Sequence, residues 1–219
     1  MINHQDILND IQTMTTQLIR VGLSVQQNFP ICKSFPDKVY EVTYANMQDL
    51  SIVLKNRKYE EIYDELESNN NYNIKMIDGA LLQLLYTYKT KKLIRHRLAF
   101  FPSPYLESFQ NEPEIYEDDE IYADILEKNI MAVPIRFDYD PNAFQEIDHP
   151  KSHLTLGQFK NCRIPVSSPI TPSLFICFIL RNFYNTAFLK FSNELTFQHT
   201  LFDETITNLE KKLLHIAIF

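Results

Sequence analysis

Glycine is scarce: only Gly22, Gly79 and Gly157 occur in 219 residues. A glycine-rich phosphate loop cannot be assembled from them, which removes the nucleotide-binding folds that depend on one. Each glycine is expected instead at a turn or a helix end, where positive φ favours it. Cysteine is as rare. Cys32, Cys162 and Cys177 are widely spaced and contain no CxxC pair. Neither a disulfide framework nor a cysteine-type zinc site is supported, and a reducing cytosol is the expected compartment. Tryptophan is absent, so Tyr and Phe rings supply most of the bulk of the core. The longest wholly apolar run, 174–180, is far too short to cross a bilayer. The start MINHQDILNDIQ lacks the basic region and apolar stretch of a signal peptide. A cytoplasmic chain, neither secreted nor membrane-spanning, is therefore expected. Bulk positive charge is missing too. A formal charge of -7 argues against non-specific nucleic-acid binding and leaves a local basic strip as the route to a phosphate backbone.

What is present reads as a globular protein: 45% hydrophobic and 22% charged residues, enough chain for one core, and no internal repeat or low-complexity linker. Apolar positions Ile7, Ile11, Met14, Leu18, Val21 and Val25 recur at helical spacing, predicting a helix over about 4–27. Residues 28–43, with Pro30 and Pro36, read as a connection. A second amphipathic helix is expected over 45–67, ended by the Asn-rich run 69–73. Residues 80–88 and 93–101 flank a lysine-rich turn and predict a β-hairpin with one basic face. The acidic stretch 111–128 has the spacing of a solvated helix. Three further strands are expected at 131–139, 153–159 and 162–166. Thr171 followed by Pro172 is a favoured helix start, opening a central apolar helix. A last amphipathic helix is expected over 203–215, with Ile206, Leu209, Leu213 and Leu214 inward. The fold class is α+β: an antiparallel sheet of about five strands on a central buried helix, with an N-terminal helical pair. The helical region is 1–72 and the α+β region 73–219, expected to form one continuous domain because no linker separates them.

The unusual chemistry lies in 133–173. Arg136, Asp138 and Asp140 alternate along one expected strand and share a face. Three charges on a core face would be costly unless paired, so that face is expected to be polar or site-forming. His149 and His153 lie four apart, but Pro150 and the alternation from His153 onward indicate a loop entering a strand rather than a helical zinc pair. A divalent metal held with Asp138, Asp140 or Asp148 stays open as a looser possibility, and no metal ligand set is assigned. Arg163 is placed to join Arg136 in holding phosphate. Lys89, Lys91, Lys92, Arg95 and Arg97, with nearby rings, have the mixture that single-stranded nucleic acid favours, although charge on an edge also discourages strand pairing.

The run His153-Leu154-Thr155-Leu156 resembles one of the two signature motifs of the 2H phosphoesterases, but a second copy is lacking, since Ala217 stands where a hydroxyl should follow His215. A broader resemblance spans most of the chain. RLAFFPSP at 97–104, RFDYDP at 136–141, DHPKSHLTLG at 148–157 and CRIPVSSPITPSLFICFILRNFY at 162–184 together resemble a bacterial family known as domain of unknown function number 2290. The further histidine that often follows the pair in that family is Thr155 here, which weakens a three-histidine metal site. The order R-x-D, then H-P-x-x-H, is also faintly similar to small toxins of the TumE type. The family resemblance implies a cytosolic bacterial protein carried in mobile or defence-related loci. Two functions follow as expectations. One is a non-catalytic component of a multi-protein bacterial system, acting through another protein of that system. The other is a nucleic-acid-directed hydrolase or toxin-like effector, with His149 and His153 as acid, base or ligand, Arg136 and Arg163 on phosphate, and Asp138 and Asp140 orienting them. The two separate on whether the histidine turn covers the Arg136/Asp138 face.

Overall fold

The computed structural model describes residues 2–45, 47, 57–105, 124, 133–159 and 161–219. Among these, the α+β class holds, with nine strands rather than about five in one antiparallel sheet. Helix α1 (His4–Arg20) starts at an Asn3/Asp6 capping box. It stops seven residues short of the expected end because Gly22 takes φ 74, while Gly22 N–H donates to Ile19 O and Leu23 N–H to Leu18 O. This paired C-terminal closure leaves Leu23 beside Leu18 in the core. The chain past the glycine is then β1 (Ser24–Gln27).

The supposed connection 28–43 is a hairpin of β2 (Pro30–Phe35) and β3 (Val39–Tyr44). Its alternation is too polar to have announced a strand, and pairing of β3 with β5 supplies what local sequence does not. The expected second helix is α2 (Tyr59–Ser68), shorter than 45–67; positions 46 and 48–56 lie outside the described residues. The acidic stretch 111–128 also lies outside them, apart from Asp124, whose carboxylate accepts from Thr186 N–H at 2.7 Å.

The hairpin of β5 (Leu81–Lys89) and β6 (Lys92–Phe101) is where expected. β5 forms the axis: short β4 (Ile74–Met76) pairs with its start, β3 with its end and β6 along its length. Beyond β6 follow β7 (Ile135–Tyr139), β8 (Ser152–Leu156) and the two-residue β9 (Ile164–Pro165), shorter than the expected 162–166. Alternation along β5 and β6 divides the sheet into two faces. Leu82, Leu84, Tyr86, Leu98 and Phe100 meet α1 and α3 (Pro172–Phe183), whereas Leu81, Ala99 and Phe101 meet α2. The first two helices are thus not a packed pair; each covers its own face.

Thr171 caps α3 as expected, its hydroxyl accepting from Leu174 N–H. The buried Asp10 carboxylate of α1 adds to the cap, accepting from Ser173 N–H at 3.0 Å and from its hydroxyl at 2.5 Å. A negative group at this helix end opposes the orphan N–H dipoles. A short helix α4 (Asn185–Lys190) follows. The expected C-terminal helix does not form; only Glu210–Lys212 makes a single 3-10 turn. The tail instead lies beside β9, with Ser167 N–H donating to Ile216 O and Ile216 N–H to Pro165 O. Leu214, expected inward, is 89% exposed. No helix among the described residues is long and apolar enough to cross a membrane.

Two glycines differ in what an added Cβ meets. At Gly22 there is open space, so Gly22→Ala carries only the positive-φ strain, about 1–2 kcal/mol. At Gly79 a Cβ would lie 3.2 Å from Ser103 Cβ and 3.2 Å from Tyr63 Oη. Gly79→Ala is expected to lower the urea midpoint more than Gly22→Ala, and equal midpoints would contradict this packing.

Candidate functional site

The register across β6, β7 and β8 sets Arg97 opposite Asp138 and Asp138 opposite His153. All three point away from α3, onto the face that α2 covers at its other end. One step along, Arg136 stands opposite Thr155. Arg97 Nε donates to Asp138 Oδ1 at 3.1 Å and Arg136 Nε to Oδ2 at 2.5 Å. Asp138 is only 8% exposed. Burial alone would raise its carboxyl, but the two guanidiniums win and hold it down at about 2.

The histidine turn does fold over this face. His153 is buried, and its Nδ1–H donates to Pro150 O at 2.9 Å, since a carbonyl can only accept. That leaves Nε2 toward Asp138, 3.8 Å from Oδ2. Burial, outweighing the aspartate, holds His153 below its ordinary value, so it is neutral at pH 7. His149 packs edge-on against it with ring centroids 4.8 Å apart. Burial first, and Arg163 second, also push His149 down. Its Nδ1 is buried and finds no partner among the described residues.

Of the six residues singled out by sequence, five are brought together. Arg136, Asp138 and His153 form the inner cluster, and His149 and Arg163 line a cleft of about 530 Å³ with Gln145, Ile147, Asp148 and Asn161. Asp140 stands apart in role: its carboxylate accepts from Asn142 N–H at 3.1 Å and caps a turn. Arg163 forms no ion pair among the described residues. A divalent ion does not fit the inner cluster, because both Asp138 oxygens are engaged by guanidiniums and His153 Nδ1 by a carbonyl. No three His, Cys, Asp or Glu among the described residues are grouped as metal ligands.

The basic strip divides. Arg97 belongs to the buried cluster instead of the surface, whereas Lys89, Lys91, Lys92 and Arg95 are exposed. Lys38, which sequence reading passed over, joins them because Thr90 N–H donates to Lys38 O at 2.7 Å and ties the two hairpin tips together. The Gln145, Ile147 and Asn161 positions were missed as well; they carry no motif, and only tertiary folding brings Gln145 and Ile147 of the β7–β8 loop beside Asn161 and Arg163 of the β8–β9 connection.

Replacing the shared carboxylate should be costly. Asp138→Asn leaves two buried guanidiniums without their counter-charge, and a loss of about 3–5 kcal/mol in urea denaturation is expected. The fold should also be acid-labile. His96, fully buried on the other face and accepting from Ile170 N–H at 3.1 Å, is held at about 3 chiefly by burial. Between pH 6.5 and about 3 the unfolded chain therefore binds a proton there that the native state refuses, so stability falls as pH falls, by up to about 1.4 kcal/mol per pH unit. Asp138 acts in the same direction below its unfolded value of 3.8, down through about 2. Stability unchanged from pH 7 to pH 4 would contradict a neutral, buried His96.

Comparison with curated proteins gives no match, and comparison with solved structures gives none. A family model does match, over residues 23–218, a span that takes in every strand described above and the whole of the site just described. The chain belongs to that family, an uncharacterized conserved protein family, DUF2290.

Proposed function

We propose that the protein is a non-catalytic, nucleic-acid-holding component of a multi-protein bacterial system in the cytoplasm. The observation that carries this is the gathering of cations at one end of the sheet on an otherwise acidic chain. Lys38, Lys89, Lys91, Lys92 and Arg95 surround the joined hairpin tips. The β7–β8 loop bearing His149 leaves the sheet at this same end, since Tyr139 pairs with His96. Arg163 stands in the cleft beside that loop. Exposed lysines and a guanidinium in a polar cleft suit a phosphate backbone, which supplies most of the affinity in such contacts. Asp37 at one tip and Asp148 on the cleft rim offset part of this charge.

The chemistry at the cleft favours holding over cutting. Phosphodiester transfer without a metal needs a base and an acid across the phosphate. Only His149 opens to the cleft; His153 is sealed beneath it at 3% exposure. The hydrolase reading keeps one observation in its favour, the His149 imidazole, pushed down by burial, beside a guanidinium with no ion pair among the described residues. Action through a partner protein has its own support in the apolar C-terminal surface, where Leu213, Leu214 and Phe219 are exposed.

Fluorescence anisotropy with labelled single-stranded oligonucleotides tests the proposal. Wild type should bind more weakly as salt rises, and Arg163→Ala should lower both the affinity and the salt slope, the latter by about 0.7. An unchanged slope and affinity in Arg163→Ala would remove the cleft from the binding surface. Products cut by wild type and absent with His149→Ala would replace the holding role by hydrolysis.

A further inference from the structure

The loop over the polar face contains a conformation that the core does not require. Gln145 and His149 exchange two backbone bonds, Gln145 N–H to His149 O at 3.0 Å and His149 N–H to Gln145 O at 2.7 Å. Between them, Asp148 N–H donates to Glu146 O at 2.9 Å, closing a three-residue turn centred on Ile147 at φ 70. A β-branched residue at positive φ is an outlier, and turns of this hand are rare and strained. Glycine or asparagine would adopt the conformation at lower cost. The position carries isoleucine instead, and the residue is 45% exposed.

Packing cannot explain that choice, because the side chain leaves the core and lies on the wall of the His149/Arg163 cleft. Backbone strain of this kind concentrates where a protein meets a ligand. The remaining wall is polar, with the carboxamides of Gln145 and Asn161, the Asp148 carboxylate and the Arg163 guanidinium. An apolar surface for a ring face, amides for a base edge and a cation for phosphate are the groups that receive an unstacked base. The cleft volume of about 530 Å³ lies within the range of small-ligand sites.

We infer that this cleft takes one unpaired base of a single-stranded nucleic acid, seated on Ile147 with its edge toward Gln145 and Asn161. The inference rests on the phosphate-holding reading above and adds the substrate class: single strands, in which a base is free to leave the stack. A paired base inside a duplex cannot enter.

The test uses three labelled probes of one length: a single-stranded oligodeoxynucleotide, the same backbone with abasic sites throughout, and a duplex. Each is titrated by anisotropy against wild type, Ile147→Asn and Ile147→Gly, with thermal melts of all three proteins. Wild type should prefer the base-bearing single strand over the abasic one by about tenfold. Both variants should bring that ratio toward one, keep their affinity for the abasic strand, and melt no lower than wild type because strain is relieved. Equal binding of base-bearing and abasic strands by wild type overturns base seating while leaving the phosphate reading intact. Variants that keep the wild-type ratio, or a duplex bound as tightly as the single strand, overturn it too. Failure to bind any probe overturns the phosphate reading and this inference with it.

Discussion

A carboxylate in the middle of a sheet, 8% exposed, is tolerable only because two guanidiniums reach it from neighbouring positions. Arg97 comes from the strand beside Asp138 and Arg136 from two residues before it on the same strand. Taking an unpaired carboxylate out of water costs several kcal/mol, roughly, so this pairing sets the register of β6 against β7 as firmly as any apolar contact. A slip of one residue in β7 would carry Arg136 and Asp138 together to the apolar face and leave Arg97 behind without its carboxylate. His153, buried next to this cluster, is held neutral chiefly by burial, against the pull of Asp138. A protonated ring there would add a third cation to a buried cluster that already holds two for one anion.

The other face answers a different requirement. Val42, Leu82, Leu84, Tyr86, Leu98 and Phe137 line it, and α1 and α3 cover them. Asp10 links those two helices by capping α3 from α1, with a raised carboxyl because burial outweighs its bonds to Ser173. Tyr86 donates to Ile170 O at 2.8 Å and fixes the approach to α3 from the sheet side. His96 sits between the two regimes, its ring on the apolar face and its backbone between Arg95 and Arg97. The apolar face therefore supplies rigidity, and the polar face keeps its charged groups within a fixed frame.

The surface features associated with function are those that packing leaves unexplained. Ile147 is strained and exposed; Arg163 is half-buried yet unpaired among the described residues; the cations of two separate hairpins meet at one end of the sheet. Packing and pairing rules account for the buried charges. They do not account for these three, and all three lie about the β7–β8 loop or the sheet end it leaves from.

Local sequence was sufficient wherever one element carries its own signal. The α3 start at Thr171-Pro172, the β5–β6 hairpin and the shared face of Arg136 and Asp138 follow from capping, alternation and turn chemistry, which act over a few residues. Spacing and Pro150 indicate a loop entering a strand at His149 and His153; that this loop covers the charged face is decided by the register of β7 against β8. What sequence could not supply was partnership. The hairpin 30–44 looked like a connection because β3 takes its sheet partner from β5, with Val42 opposite Tyr86 and Val39 opposite Lys89. Leu209, Leu213 and Leu214 have the period of a helix, but the backbone beside them bonds to Pro165 and Ser167 instead, and tertiary pairing outweighs a weak local propensity. Arg97 read as surface because nothing near it in sequence shows Asp138 across the strand. Local order is written in neighbouring residues; the meeting of distant charges is decided only when the sheet closes its register.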